Sequence, residues 1–356
     1  MGWWTMRLLR RDTRRHIDRR GIELAGVITA LAVIELAAAV GLAYVAGFGA
    51  VRAALSQVRW PWLLAVLGAL GVSFAGYYFA YQGIYRAEGG YRLAGRHMRA
   101  LVIASFGGLF SHGGTTPDDI FLQAAGAGHR DSLVRVGALS GLEQGVLAFG
   151  GWAASIAVLT LGFGTPPENF TLPWAVVPVP AALVVLWITR RYTARLRPHG
   201  GWRGKAAVLL DSVQLARKLA ARPLRNGHAF AAMGLFWAGD AFAVWAALSA
   251  FGFGMDGAAF TVGFCTGMVF TRRVAPLAGA GILMLILPVT IAYSGAPLAV
   301  AVAGVFAYRI LSLWLPMPFA FAGLPVLREV AERAVPGVHQ PGSGRGTEDD
   351  TTLPRR

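Results

Sequence analysis

Residues Phe270 to Leu315 read FTRRVAPLAGAGILMLILPVTIAYSGAPLAVAVAGVFAYRILSLWL. The stretch opens with Thr271-Arg272-Arg273 at the end of one apolar run. Pro276, Gly279, Ala280 and Gly281 then break the chain before a second run, Ile282 to Tyr293, which itself holds Pro288. A third run, Leu298 to Leu315, carries Tyr308-Arg309 within it. Arginines beside broken apolar segments are costly in a bilayer unless they face protein, water or an anion. Interrupted backbone at membrane depth is tolerated only where protein or a cavity satisfies it. The stretch therefore reads as the core of a polar site inside a membrane protein.

The whole chain agrees. Its 356 residues are 55% apolar and 14% charged, with a mean hydropathy of +0.53, whereas soluble domains carry about 25% charged residues. Lys and Arg number 33 against 18 Asp and Glu, a formal charge of +15. These basic residues cluster beside apolar runs, as the positive-inside rule and anionic headgroups require, so they point to a membrane surface and not to nucleic acid. The single cysteine, Cys265, can form no internal disulfide, and the seven histidines show no metal-ligand spacing. No cofactor is expected, and the absence of a P-loop, nucleophile elbow or dinucleotide fingerprint argues against an enzyme.

Working outward gives an order of segments. Residues 1–21 form a basic, tryptophan-bearing cytoplasmic segment, read as a retained signal-anchor. The first span, Ile22 to Phe48, contains Glu35 deep enough to need an inward partner. The second, Trp60 to Tyr85, has tryptophans at one end and Tyr77, Tyr78, Tyr81 and Tyr85 at the other, read as two interfacial belts. Leu101 to Phe110 is about half a span in length. It leads through Ser111-His112-Gly113-Gly114-Thr115-Thr116-Pro117-Asp118-Asp119 into a weaker segment, Ile120 to Ala127. Basic residues before Leu101, and a loop without any from Gly164 to Glu168, require an odd number of crossings between them. The long run Val136 to Phe163 supplies one, so residues 101–127 are expected to dip in and return, with the Gly-Gly-Thr-Thr-Pro tip at membrane depth. Asp118 and Asp119 are expected to cap a helix starting at Ile120.

Leu172 to Thr189 returns the chain to a basic cytoplasmic loop, 190–228, in which Ala206 to Ala221 is expected to lie along the membrane surface through Leu209, Val213 and Ala216. Ala229 to Phe253, a turn at Asp256, and Phe260 to Phe270 lead into the opening stretch. Residues 336–356 are polar, glycine-rich and read as a disordered tail. The reading is an all-α polytopic integral membrane protein of about seven to eight membrane segments. Two of these are Gly/Pro-broken and re-entrant, the domain spans 22–328, and both termini are expected on the cytoplasmic side of the plasma membrane. Each half sets a long aromatic-rich span before a broken apolar segment, a pattern that points to an internal repeat with a site between the halves.

Three stretches in this order resemble the membrane region of lysylphosphatidylglycerol synthases and their stand-alone relatives, a flippase-like family. They are Arg59-Trp60-x-Trp62-Leu63-Leu64 with its tyrosine-rich continuation; Phe106 to Gly114, Asp118-Asp119 to Gly128 and Gly141-Leu142-Glu143; and Pro276 to Gly281, Ser294-Gly295-Ala296-Pro297 and Tyr308-Arg309 to Trp314-Leu315-Pro316. The resemblance covers roughly Ile22 to Arg328. Met284 stands where the family usually has a glutamate, and Gln144 and Leu147 where it has further polar residues. These 356 residues hold no stretch resembling the aminoacyl-transferring domain of some members, so aminoacylation is not expected of them. The resemblance implies a lipid transporter that handles an anionic phospho- or polyprenyl-phosphate headgroup. The alternative is a non-transporting accessory subunit of a membrane glycosyltransferase or lipid-modifying enzyme.

Candidate headgroup-binding residues are Arg272, Arg273, Arg309, Glu143, Asp240 and His112. The arginine fork suits phosphate oxygens. Arg272 and Arg273 equally fit the end of a span at the interface. Arg309 equally fits a buried pairing with Glu143 or Asp240, and His112 a solvated position.

Overall fold

The structure, a computed structural model, describes residues 14–106, 116–162, 167–196, 201–269 and 280–334, and the regular elements among them are all helical. In chain order they are α1 (Arg14–Ala46), α2 (Phe48–Ser56), α3 (Trp60–Arg86), α4 (Gly95–Phe106), α5 (Thr116–Ala124), α6 (His129–Leu161), α7 (Glu168–Val176), α8 (Pro178–Leu196), α9 (Gly201–Ala220), α10 (Pro223–Ala250), α11 (Gly257–Met268), α12 (Ala280–Tyr293), α13 (Leu298–Arg309), α14 (Met317–Ala322) and α15 (Leu324–Ala334). Among the described residues six stretches are long and apolar enough to cross a bilayer: α1, α3, α6, α7 with α8, α10, and α13 continued to Ala322. The remaining apolar helices, α11 and α12, are shorter.

The two broken segments are helix pairs. α11 and α12 pack antiparallel, since Gly263 meets Thr290 and Ser294 while Gly267 meets Leu287 and Thr290. At 1.5 Å per residue each is only about 20 Å long, short of the ~30 Å hydrocarbon core. The pair goes in and comes back on the side of Asp256 and Pro297. α4 and α5 do the same from the other end. Phe106, which ends α4, meets the Phe74 ring at a tilt and the Tyr77 ring edge-on near the middle of α3. α5 then returns from Asp118, beside Tyr81, towards His129. The dip required by crossing parity is thus a pair of short helices.

α3 and α10 form the most extensive helix contact among the described elements. They run antiparallel, with Gly76 against Ala232 and Phe236, Gly83 against Ala229, and Gly239 against Ala69 and Ser73. In lipid there is no hydrophobic drive between helices, so close backbone approach over small residues supplies the attraction. Each half of the chain then follows one plan. α3 leads to the short pair α4–α5 and the long α6; α10 leads to the short pair α11–α12 and α13. Because α3 and α10 are antiparallel, the two plans are inverted with respect to each other.

Several boundaries move from the sequence reading. α1 begins at Arg14, inside the basic segment assigned to residues 1–21. α6 begins at His129, seven residues before the apolar run, because its polar first turns are held by protein and need no lipid. Arg135 explains this. Its side chain is 7% exposed and pairs with Asp131 at 3.0 Å. Its Nη1 donates to the carbonyls of Ile84, Tyr85 and Ala87 at 3.2, 3.2 and 2.9 Å, closing the end of α3. Charged donors satisfy helix-end carbonyls well. Arg135→Met strands buried acceptors and is expected to lower unfolding free energy by about 3 kcal/mol. Arg135→Lys should not restore it, since an ammonium lacks the fork. Denaturant unfolding in bicelles measures both, and full stability in the methionine variant would refute the capping role.

α9, the helix expected at the membrane surface, is bound to the bundle by the face opposite Leu209. It packs against α6 and α8, burying Ala207, Leu210 and Leu219 while Leu209 is exposed. Asp211 pairs with Arg130 at 2.9 Å.

Candidate functional site

Three polar groups of the bundle interior meet across helices. Glu143 of α6 is fully buried. Its Oε2 accepts from the Tyr77 hydroxyl at 3.1 Å, and its backbone carbonyl accepts from Trp237 Nε1 at 2.7 Å. Asp240 of α10 is equally buried, and its Oδ1 accepts from the Tyr308 hydroxyl at 2.8 Å. The two pairs occupy corresponding places in the inverted halves with the roles exchanged. In one half the tyrosine is on the long first helix and the acid on the last; in the other the acid comes first. A buried carboxylate must be hydrogen-bonded or paired, and a phenol supplies this without adding charge.

The third group is an ion pair. Arg309 Nε donates to Glu35 Oε1 at 2.5 Å, and Trp314 Nε1 donates to Glu35 Oε2 at 2.8 Å. Glu35 is 2% exposed and Arg309 8%. Glu35 thus has its inward partner. The carboxylate facing Arg309 Nε belongs to Glu35 of α1, where the sequence suggested Glu143 or Asp240.

Local backbone makes this convergence possible. Residues Ile310–Trp314 form a π-helical turn, with Leu315 N–H donating to the Ile310 carbonyl at 2.9 Å. An α-helix carries position i+5 well away from the face of position i. The wider i→i+5 turn brings it back, so Arg309 and Trp314 address the same carboxylate.

A further polar cluster lies where α5 meets α6. Tyr81 donates to Asp118 Oδ1 at 2.8 Å. Asp119 accepts from the Ser132 hydroxyl, and its Oδ2 lies 3.0 Å from His129 Nδ1. α5 starts at Thr116, four residues before Ile120, so these aspartates are not caps but side-chain ties from the short helix to α3 and α6. The tyrosines likewise differ from the belt read in the sequence. Tyr77, Tyr81 and Tyr85 are buried. Spaced by four, they line one face of α3 and turn it inward.

His112, Arg272 and Arg273 lie outside the described residues, as do the Gly-Gly-Thr-Thr tip, the first 13 residues and the 336–356 tail. Of the predicted set, Glu143, Asp240 and Arg309 are described, and each is bonded to a different helix. Sequence reasoning missed Tyr77, Tyr308 and Trp314. The i, i+4 spacing of the α3 tyrosines was the available signal for the first.

Among the described residues no three of His, Cys, Asp and Glu gather as metal ligands. No protein-family model matches the chain, and no curated protein matches it. Fold and hydropathy define the class: this is an all-α, multi-pass membrane protein with two inward-dipping helix pairs.

Proposed function

We propose that the protein is a flippase-like lipid transporter that handles an anionic headgroup, phospholipid or polyprenyl phosphate, in a polar path between its two halves. The observation that carries this reading is the inverted pair of broken helices, each dipping in from an opposite end of the bundle. Such paired interruptions provide backbone polar groups at mid-membrane and a moving part for each leaflet. The connection from α4 to α5 contains His112, and that from α11 to α12 contains Arg272 and Arg273. These are the residues expected to meet the phosphate, with Glu143 and Asp240 completing the polar path. Arg309, in its ion pair, holds α1 against α13. The six candidate spans among the described residues and the arginine-rich loops beside them support a reading with both termini on the cytoplasmic side.

The test is lipid movement in proteoliposomes with a fluorescent anionic phospholipid and, separately, a polyprenyl phosphate. Wild type should move at least one of them. The double variant Arg272→Ala/Arg273→Ala should lose at least about 90% of that rate, since an arginine–phosphate contact is a strong, charge-assisted one. Asp240→Asn should slow movement less. No movement of any lipid by folded wild type would overturn transport and favour the accessory-subunit reading.

A further inference from the structure

A groove of about 320 Å³ lies on the outside of the α3–α10 pair, away from the buried polar groups. From α3 it is lined by Phe79, Gln82, Gly83 and Arg86, and from α10 by His228, Ala231 and Ala232. Positions 79, 82, 83 and 86 are i, i+3, i+4 and i+7, one face of a helix, and 228, 231 and 232 repeat that spacing. The hollow exists because small residues occupy its floor. A Cβ built on Gly83 would come 2.7 Å from the Ala229 Cβ and 3.1 Å from His228 Nε2.

Its chemistry is divided lengthwise. Gln82, Arg86 and His228 gather at one end, where α3 finishes and α10 begins. Arg86 and His228 are exposed. The acid nearest in sequence, Glu88, is paired with Arg222 of the other helix end at 3.5 Å. The other end is apolar, with Ala231, Ala232 and Phe79, whose ring is 52% exposed. Seven residues of helix separate Arg86 from Phe79, about 10 Å along the axis. The polar end falls at the membrane boundary and the apolar end inside it.

We propose that this groove is a peripheral binding site for one anionic phospholipid of the leaflet on the arginine-rich side. The phosphate is held between Arg86 and His228, with Gln82 donating to the ester or glycerol oxygens. The upper acyl chain lies along Ala231 and Phe79. The groove is separate from the proposed transport path, and the inference does not depend on transport. Both helices are long and unbroken through it, so the bound lipid acts as a fixed wedge at the end of the central helix pair.

The experiment uses the full chain in liposomes containing a phosphatidylglycerol with a photoactivatable diazirine near the start of its acyl chain. Adducts are mapped by peptide mass spectrometry. They are expected on residues 79–86 and 228–232, and a diazirine phosphatidylcholine of the same chain length should label these peptides about tenfold less, the discrimination expected of a charge-assisted contact. Arg86→Ala/His228→Ala should reduce labelling by about tenfold on the same grounds. Ala231→Trp fills the apolar end from an exposed position and should block both lipids, while Lys205→Ala on α9 should change nothing. Glycerol phosphate, the same anion without a chain, should not compete. Labelling elsewhere only, no headgroup preference, competition by glycerol phosphate, or protection of the groove by a second copy in crosslinked dimers would each overturn the proposal. Unchanged labelling by Arg272→Ala/Arg273→Ala separates this site from the transport path.

Discussion

Replacing Arg309 with methionine is expected to lower unfolding free energy by about 3–5 kcal/mol, the cost of removing one partner from a buried ion pair. The loss comes from what is left behind. Glu35, at 2% exposure, would keep only the Trp314 N–H among the contacts described for it, and a carboxylate at that depth without its cation is costly to bury. The second arm removes the charge. Glu35→Gln in the Arg309→Met background leaves a neutral acceptor for Trp314 and should recover most of the stability, since neutral replacements of buried pairs are well tolerated. Glu35→Gln alone should be worse than the double variant. Steric-trap or SDS unfolding in bicelles gives the four corners of the cycle. A double variant as unstable as Arg309→Met would show that Arg309 serves other partners more than Glu35.

The second large effect belongs to the α3–α10 seam. Gly76→Val should destabilise the protein by about 3 kcal/mol, at the upper end of overpacking costs. A Cβ there would lie 2.5 Å from the amide nitrogen of Phe236 and 2.7 Å from the carbonyl of Ala232. Both atoms are helix backbone and cannot swing aside, so the helices must part along the seam. Gly239→Val should act alike, its Cβ meeting the Ala69 carbonyl and the Ser73 amide nitrogen at 2.8 Å. Gly71→Val is the comparison, because nothing lies within 4 Å of a Cβ at that position. The same unfolding assay reads all three. Equal stability of the Gly76 and Gly71 variants would mean that the seam is not held by close backbone approach.

These two cases mark what the sequence carries and what it does not. The broken segments were legible because Gly and Pro at helix-interrupting positions act locally, and crossing parity converts a half-length run into a dip. That Glu35 needs an inward partner was also legible, as it follows from depth alone. The identity of the partner was not. Glu35 and Arg309 are 274 residues apart, and Glu143 and Asp240 were just as plausible on charge and depth. Only the docking of α1 on α13 chooses among them. The tyrosines of α3 show a different failure. Their nearness to an arginine-rich loop matched an interfacial belt, but their spacing by four placed them on one inward face, and burial with Asp118 and Glu143 prevailed. Arg135 drew no attention in the sequence, because capping of a distant helix leaves no local trace.

The π turn after Arg309 has a mechanical consequence. Above it, Tyr308 and Arg309 are fastened to α10 and α1; below it, Met317 packs with Leu31 and α14 lies against α4, the first arm of one dipping pair. The turn holds one residue more than an α-helix needs. Closing it to i→i+4 bonding would rotate everything from Met317 onward by about 100° relative to the ion pair. The hold on Glu35 and the seat of α14 on α4 are thus set in mutual register by the one widened turn between them.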